Sequence, residues 1–308
     1  MRWYKLFIGD KLVASLSAES PNAPAIEFNI EHSLTRNNPD TQITVFNAPL
    51  TTFTEQNNLN GQTLTLFAGM DGFLPIVTPS QRGLIFNGII LAHYAFFNGK
   101  DTSIVLNCYP YQDVDKDKSF ILKVLNGELL HVKLRPLLHS LHVKFEFGSG
   151  ALKVRAKNKQ VLKIVRMRDI FNFLENYGIE AKTNKNGLFF ATKDDVPIRK
   201  PIVLQKKDMV GQPEATDGAV AFFLQMRADI DIGDTIVFNL PAFINFTQAT
   251  MVGTGAFGVN YNTTQLYSMY SGDFSVKQIR YVGQSNNPSG GAWTVIVEAS
   301  RTNIGKKI

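Results

Sequence analysis

The stretch Ala25-Ile26-Glu27-Phe28-Asn29-Ile30 puts Ile26, Phe28 and Ile30 on one side of an extended chain and Glu27 and Asn29 on the other. A half-buried strand needs that period of two, and a helix cannot use it. The pattern recurs at Gln42–Phe46, with Ile43 and Val45, and at Thr63–Phe67, with Leu64 and Leu66 opposite Thr63 and Thr65. Gly83–Leu91 and Thr102–Leu106 are richer in Ile, Val and Phe, which predicts strands buried on both sides. Turn-forming clusters separate these runs: Pro21–Pro24, Arg36–Pro39, Asn57–Gly61 and Asn98–Asp101, the last with an Asn-Gly pair suited to a hairpin. The first third is expected to be an all-β unit, a closed barrel or sandwich.

The last third repeats this order of parts. Gly61-Gln62-Thr63-Leu64-Thr65-Leu66 is echoed by Gly233-Asp234-Thr235-Ile236-Val237-Phe238. Each copy continues through a long loop into a strand that ends in a glycine-containing hairpin: Ile85–Tyr94 turning at Asn98-Gly99, and Phe274–Val282 turning at Pro288–Gly291. Each finishes on an alternating strand, Thr102–Leu106 or Ala292–Ala299. The same succession at both ends reads as two related β modules separated by an insert.

The insert differs in charge. Residues 1–110 carry a net −2, residues 111–200 a net +8 and residues 201–308 a net of 0, giving the chain +6 overall. The middle third is predicted to be a small α/β unit. A helical stripe runs through Met167, Ile170, Phe171, Leu174 and Tyr177 and stops at Gly178; a hairpin comes next, Ile179–Thr183 and Leu188–Thr192 around Asn184–Gly187. A further, weaker helix is expected at Ser119–Leu125. Lys153, Arg155, Lys157 and Lys159, leading into Val161–Arg166, read as the wet side of an amphipathic strand. A basic block can also mark contact with a polyanion, but neither a helix-turn-helix nor an aromatic RNA-binding pattern accompanies this one, so a solvated face is the favoured reading.

Composition narrows the class further. Hydrophobic residues make up 44 % of the 308, which is ordinary for a folded chain, and the apolar runs are far too short to span a bilayer. The N-terminal Met1-Arg2-Trp3-Tyr4-Lys5 has no signal-peptide core. The single cysteine, Cys108, rules out an intrachain disulfide and a cysteine-built zinc site, and its place at a strand end suits a small buried residue.

Several patterns imitate chemistry without completing it. Gly253-Thr254-Gly255-Ala256-Phe257-Gly258, with Asp273 twenty residues beyond the first glycine, has dinucleotide-site spacing. A helix would have to start directly after it, but Val259–Thr264 is a poor helix former, so a loop is favoured. Asp113, Asp115 and Asp117 resemble the start of a calcium loop, but Lys118 stands where glycine is needed and Val124 where a bidentate Glu is needed. His139 and His142 have no third metal ligand nearby. No G-x-S-x-G elbow, phosphate-binding loop or identifiable glycosidase carboxylate pair is present. Asn245-Phe246-Thr247 and Asn262-Thr263-Thr264 match the glycosylation pattern but are not read as modification sites. The sequence therefore assigns no catalytic, cofactor-binding or metal-ligating residue and no cofactor.

The N-terminal succession Trp3–Ile8, Ile26–Ile30, Ile43–Asn47, Gly61–Gly69, Ile85–Ile90 and Thr102–Asn107 resembles the first tube-forming domain of baseplate hub proteins from contractile-tailed bacteriophages. Phe274–Val282 with Trp293–Glu298 resembles the second. The resemblance implies a mainly β chain: two related tube-type barrel or sandwich domains, 1–110 and 201–308, flanking a small basic α/β domain, 111–200. It further implies a non-enzymatic homotrimer in the virion tail baseplate, made in the bacterial host cytoplasm and not inserted in a membrane. Its partners would be the tail tube or tube-initiator protein, the central spike and other baseplate proteins, with DNA only as passing cargo. Symmetry gives this reading a mechanical sense. Three chains with two similar modules each present six modules to a sixfold tube and threefold symmetry to a spike. The competing readings are a cell-wall-degrading β-rich enzyme with an unmarked acidic site, and a DNA-binding module using the basic insert.

Overall fold

The computed structural model describes residues 2–17, 23–33, 41–47, 59–71, 81–98, 101–110, 119–141, 143–192, 201–216, 219–239, 270–287 and 292–302. The N-terminal third forms β1 (Arg2–Ile8), β2 (Lys11–Leu16), β3 (Ile26–Ser33), β4 (Thr41–Phe46), β5 (Thr63–Met70), β6 (Gly83–Asn98) and β7 (Asp101–Tyr109). In β3, Ile26, Phe28 and Ile30 are buried while Glu27 and Asn29 face outward; β4 and β5 alternate in the same way. Residues 85–90 of β6 are all buried, as its apolar composition predicted. β7 departs from expectation. It buries Ile104, Leu106 and Cys108 but leaves the intervening residues half-buried, because only one of its faces meets the core.

The middle third contains β8 (Phe120–Val124), α1 (Leu130–Ser140), β9 (Phe145–Phe147), β10 (Gln160–Ile164), α2 (Met167–Glu175), β11 (Ile179–Asn184) and β12 (Gly187–Thr192). The stripe predicted for α2 is buried at Met167, Ile170, Phe171 and Leu174, and Gly178 comes after it with φ +72°. The β11–β12 hairpin pairs Asn184 with Gly187.

Two expectations for this region are corrected. Ser119–Leu125 is not a helix: Leu122 and Val124 alternate inward along β8, whose residues pair with β10. The helix lies later, in α1, where Leu130, Leu134 and Leu138 form a stripe one residue wide with Pro136 on the exposed side. A proline inside a helix removes a backbone hydrogen bond, so the segment carries a breaker that local pattern reads as a stop. Finally, Ala151–Lys153 is a single 3-10 turn, and the amphipathic strand begins only at Gln160.

The last third forms β13 (Ile202–Leu204), β14 (Glu214–Thr216), β15 (Ala219–Gln225), β16 (Thr235–Phe238), β17 (Gly272–Gln284) and β18 (Trp293–Arg301). These strands and those of the first third belong to one 13-stranded sheet, joined where β17 pairs antiparallel with β3. Two hydrophobic cores result. The larger is shared by the two end thirds, through residues such as Tyr4, Phe28, Phe86, Phe222, Phe274 and Trp293. The smaller lies within the middle third around Leu134, Phe171, Leu174 and Phe190. The fold is mainly β, with two related β units flanking an α/β insert.

Candidate assembly surface

The two β units repeat one another in register. In the first, strand order runs β1-β5-β6-β7-β4-β3; in the last, it runs β13-β16-β17-β18-β15-β14. Ile90 pairs with Cys108 before a bulge at Leu91, and Val276 pairs with Ala299 before a bulge at Lys277. Cys108 then pairs with Thr41, and Ala299 with Val220. Gly61 and Gly233, at φ +84° and +83°, open the strands that the sequence echo matched. The Gly61 N–H donates to the Ile90 carbonyl at 2.7 Å and the Gly233 N–H to the Val276 carbonyl at 3.0 Å. In return, Ile90 N–H donates to Gln62 at 3.0 Å and Val276 N–H to Asp234 at 2.9 Å. One strand breaks the equivalence: β1 runs antiparallel to β5, whereas β13 runs parallel to β16.

The units join through a dense seam. Trp293, 3 % exposed, is centred 5.3 Å from the Phe28 ring and 6.0 Å from the Tyr4 ring. Its indole N–H donates to the Gly69 carbonyl at 2.9 Å, and the Arg2 guanidinium lies 5.8 Å above its face. Gly283 pairs with Phe28, and a Cβ added at Gly283 would fall 2.2 Å from that ring. The missing side chain leaves room for the Phe28 ring to lie over Gly283 where β17 and β3 pair. On the outer face, Arg280 donates to Asn29 at 2.8 Å and Gln284 to Glu27 at 2.8 Å.

Behind the seam lies a buried polar cluster that sequence inspection did not single out. A His32 ring nitrogen is 2.8 Å from the Ile85 carbonyl, and the ring stacks on Phe86 and meets Tyr281 edge-on. Lys185, from the β11–β12 turn, donates to the Ala228 carbonyl at 2.6 Å and lies 3.7 Å from Asp231. Arg227 makes a two-pronged contact with Asp229, each arm 2.7 Å. Lys185 thus ties the insert to the larger β core, where β11 also lies against β3. The cue in sequence was only a charge in a hairpin turn, indistinguishable there from a solvated one.

Burial lowers the pKa of His32, countered in part by the Ile85 carbonyl and the charges of Asp231 and Glu31, with Lys185 acting in the same sense as burial. The imidazole is therefore held neutral where the unfolded chain would bind a proton. Stability conferred by the neutral ring is complete above the unfolded pKa of 6.5 and is lost as pH falls below it. One such group changes stability by at most about 1.4 kcal/mol per pH unit. Thermal melts from pH 7.5 to 5 should show this loss, and His32→Gln should flatten the profile; an unchanged slope would separate His32 from the acid response.

The other residues weighed from sequence lie apart. Cys108 is fully buried, and burial pushes its thiol pKa up, so it is packing and not a nucleophile. His139 is exposed, edge-on to Phe145 at 5.0 Å, in a cleft with Arg135, Glu146 and Asn184. His142, Asp113, Asp115, Asp117, the glycines of 253–258, Asn245 and Asn262 lie outside the described residues, and Asp273 sits in β17 paired with Val237. Among the described residues no group of three His, Cys, Asp or Glu side chains could hold a metal ion, and no helix is long and apolar enough to cross a membrane. Lys153, Arg155, Lys157, Lys159, Lys163 and Arg166 are all exposed.

No protein-family model matches the chain, and no curated protein matches it by sequence. Solved structures do. The 43 kDa tail protein of prophage MuSo2 from Shewanella oneidensis superposes with a TM-score of 0.57 at 8 % identity, over 98 % of each chain. The tail protein from Neisseria meningitidis MC58 gives 0.54 at 7 % identity, over 98 % of this chain and 97 % of that one. An E. coli component of the type VI secretion system, described as structurally similar to the T4 bacteriophage tail proteins gp27 and gp5, gives 0.54 at 8 % identity, over 96 % and 76 %. At such identities the likeness is one of fold. The chain has the fold of phage tail proteins, and the resemblance to baseplate hub proteins carried by its strands and turns is supported by these neighbours.

Proposed function

We propose that the protein is a structural baseplate hub of a phage tail: a homotrimer of 1–110, 111–200 and 201–308 units that adapts the sixfold tail tube to the threefold central spike. The observation that carries this reading is the in-register repeat. One chain holds two copies of a strand arrangement that differ mainly at β1 and β13, which is what a threefold assembly needs in order to present six similar faces. The tail-protein fold supports the same role. Tube or tube-initiator protein, spike and other baseplate components are the partners, and the protein acts through interfaces without turnover. DNA passes through the enclosed channel as cargo. The sheet face turned away from the core suits this, since Glu27, Asn29, Gln42, Asn107, Arg280 and Glu298 mix signs, and Arg280 is tied to Asn29.

Mass measurement of the purified protein across a concentration series tests the reading. Three times the chain mass is expected, with no release of product from cell-wall substrate. A monomer at every concentration, or turnover of peptidoglycan, overturns it. The basic insert is assigned to a surface outside the channel. If full-length protein instead bound duplex DNA with a steep inverse dependence on salt, lost on reversing the charges of Lys157, Lys159 and Lys163, the nucleic-acid reading would replace it.

A further inference from the structure

The repeat exposes an asymmetry in strand pairing. In the second unit, the edge of β17 beyond β16 is filled: residues Gln278–Gln284 pair with Ser33–Glu27 of β3. In the first unit, the equivalent edge of β6 beyond β5, residues 92–98, has no partner strand among the described residues. It is also the part of the β sheet where large apolar side chains collect in solvent: Leu91, then Tyr94 at 50 %, Phe96 at 56 % and Phe97 at 66 % exposure. An open apolar edge of this length is an aggregation hazard unless something covers it.

The strand that fills the gap in the second unit is β3, and its counterpart is β14. β14 is the terminal strand of the sheet path, paired among the described residues with β15 alone. The open edge and the strand that fits it are therefore both present in one chain, where they are not paired with each other. We infer that the β6 edge of one copy pairs antiparallel with β14 of a second copy, reproducing between chains the β17–β3 seam that exists within each chain. This rests on the hub reading and deepens it by naming the subunit interface.

The repeat also sets the register. Tyr281 pairs with Ile30 and Val282 with Asn29; β-bulge positions equate Tyr281 with Ala95 and Val282 with Phe96, while pairing to β4 and β15 equates Ile30 with Ala215 and Asn29 with Glu214. Ala95 therefore faces Ala215 of the next copy, and Phe96 faces Glu214. The Ser285 N–H donates to the Ile26 carbonyl at 2.8 Å, so by alternation Val282–Asn29 is a non-hydrogen-bonded pair with close side chains. Phe96–Glu214 inherits that geometry. In the lone chain the Ala215 N–H is hydrogen-bonded to the Tyr270 hydroxyl, a contact that yields to the neighbour's Ala95 carbonyl when the ladder forms. The contact is head-to-tail, so it propagates until the ring closes.

Close, non-hydrogen-bonded pairs accept disulfides. Phe96→Cys and Glu214→Cys, both at exposed positions and placed together in the full chain, should oxidise to covalent trimers as the largest product on a denaturing gel. Either substitution alone should give none. Asn29→Cys with Val282→Cys should close within one chain and serves as the geometric control. Trimers by mass with no cross-link between 96 and 214 would overturn the interface while leaving the hub reading intact. Monomers by mass with no cross-link would overturn both. A ladder running past three chains would retain the pairing and overturn closure at three.

Discussion

Trp293→Ala is expected to be the most destabilising single truncation in the chain, at about 3–5 kcal/mol, the range for deleting a large aromatic from a packed core. The side chain belongs to β18 but touches Phe28 of β3 and Tyr4 of β1, and bonds the Gly69 carbonyl of β5, so its loss opens a cavity between the two units. It also strips the Gly69 carbonyl of a buried donor, which adds to the cost. Denaturant melts should show a lower midpoint and, if the units then part independently, a second transition. Trp3, the only other tryptophan, is half-buried beside Arg82. Trp3→Phe should cost far less and leave Trp293 as a reporter of the seam, its emission shifting red as the units separate. A Trp293→Ala midpoint within error of the unmodified chain would show that the units do not depend on this contact.

Gly283→Val attacks the same seam by overfilling it. The new Cβ would sit 2.2 Å from the Phe28 ring, closer than any side chain tolerates, so either the ring or the β17–β3 ladder must move. Overpacking of this kind costs about 1–3 kcal/mol, and the branched side chain puts valine at the upper end. Phe28→Leu destabilises by itself but makes room. The double variant should therefore be less damaged than the two single losses predict together, a favourable coupling of more than about 0.5 kcal/mol in a double-mutant cycle. Simple additivity would mean that the ring and the glycine do not meet.

Much of this fold is legible in the sequence. Period-two alternation places β3, β4 and β5, because one face of each packs on the core and the other does not. The echo between Gly61–Leu66 and Gly233–Phe238 is register-true, because both glycines hold the same positive-φ turn against equivalent carbonyls. What stays hidden is non-local. Nothing in the local pattern of Gln278–Gln284 says that it pairs with Glu27–Ser33 some 250 residues away. Nor does local pattern show that Lys185 reaches out of the insert to Ala228. α1 is masked by Pro136, and β8 imitates a helix because five residues are too few to separate a strand from a helical turn. The open edge of β6 cannot be seen as open until the repeat shows what fills its counterpart.

The hub reading turns on two equivalent units per chain alternating around a threefold axis. A single-particle reconstruction of the assembled protein, calculated without imposed symmetry, tests this most directly. It should show six β units in a closed ring, alternating in two kinds, with Leu91–Asn98 of each chain against Glu214–Thr216 of the next. A lone subunit, or a ring in which the two kinds do not alternate, would contradict it.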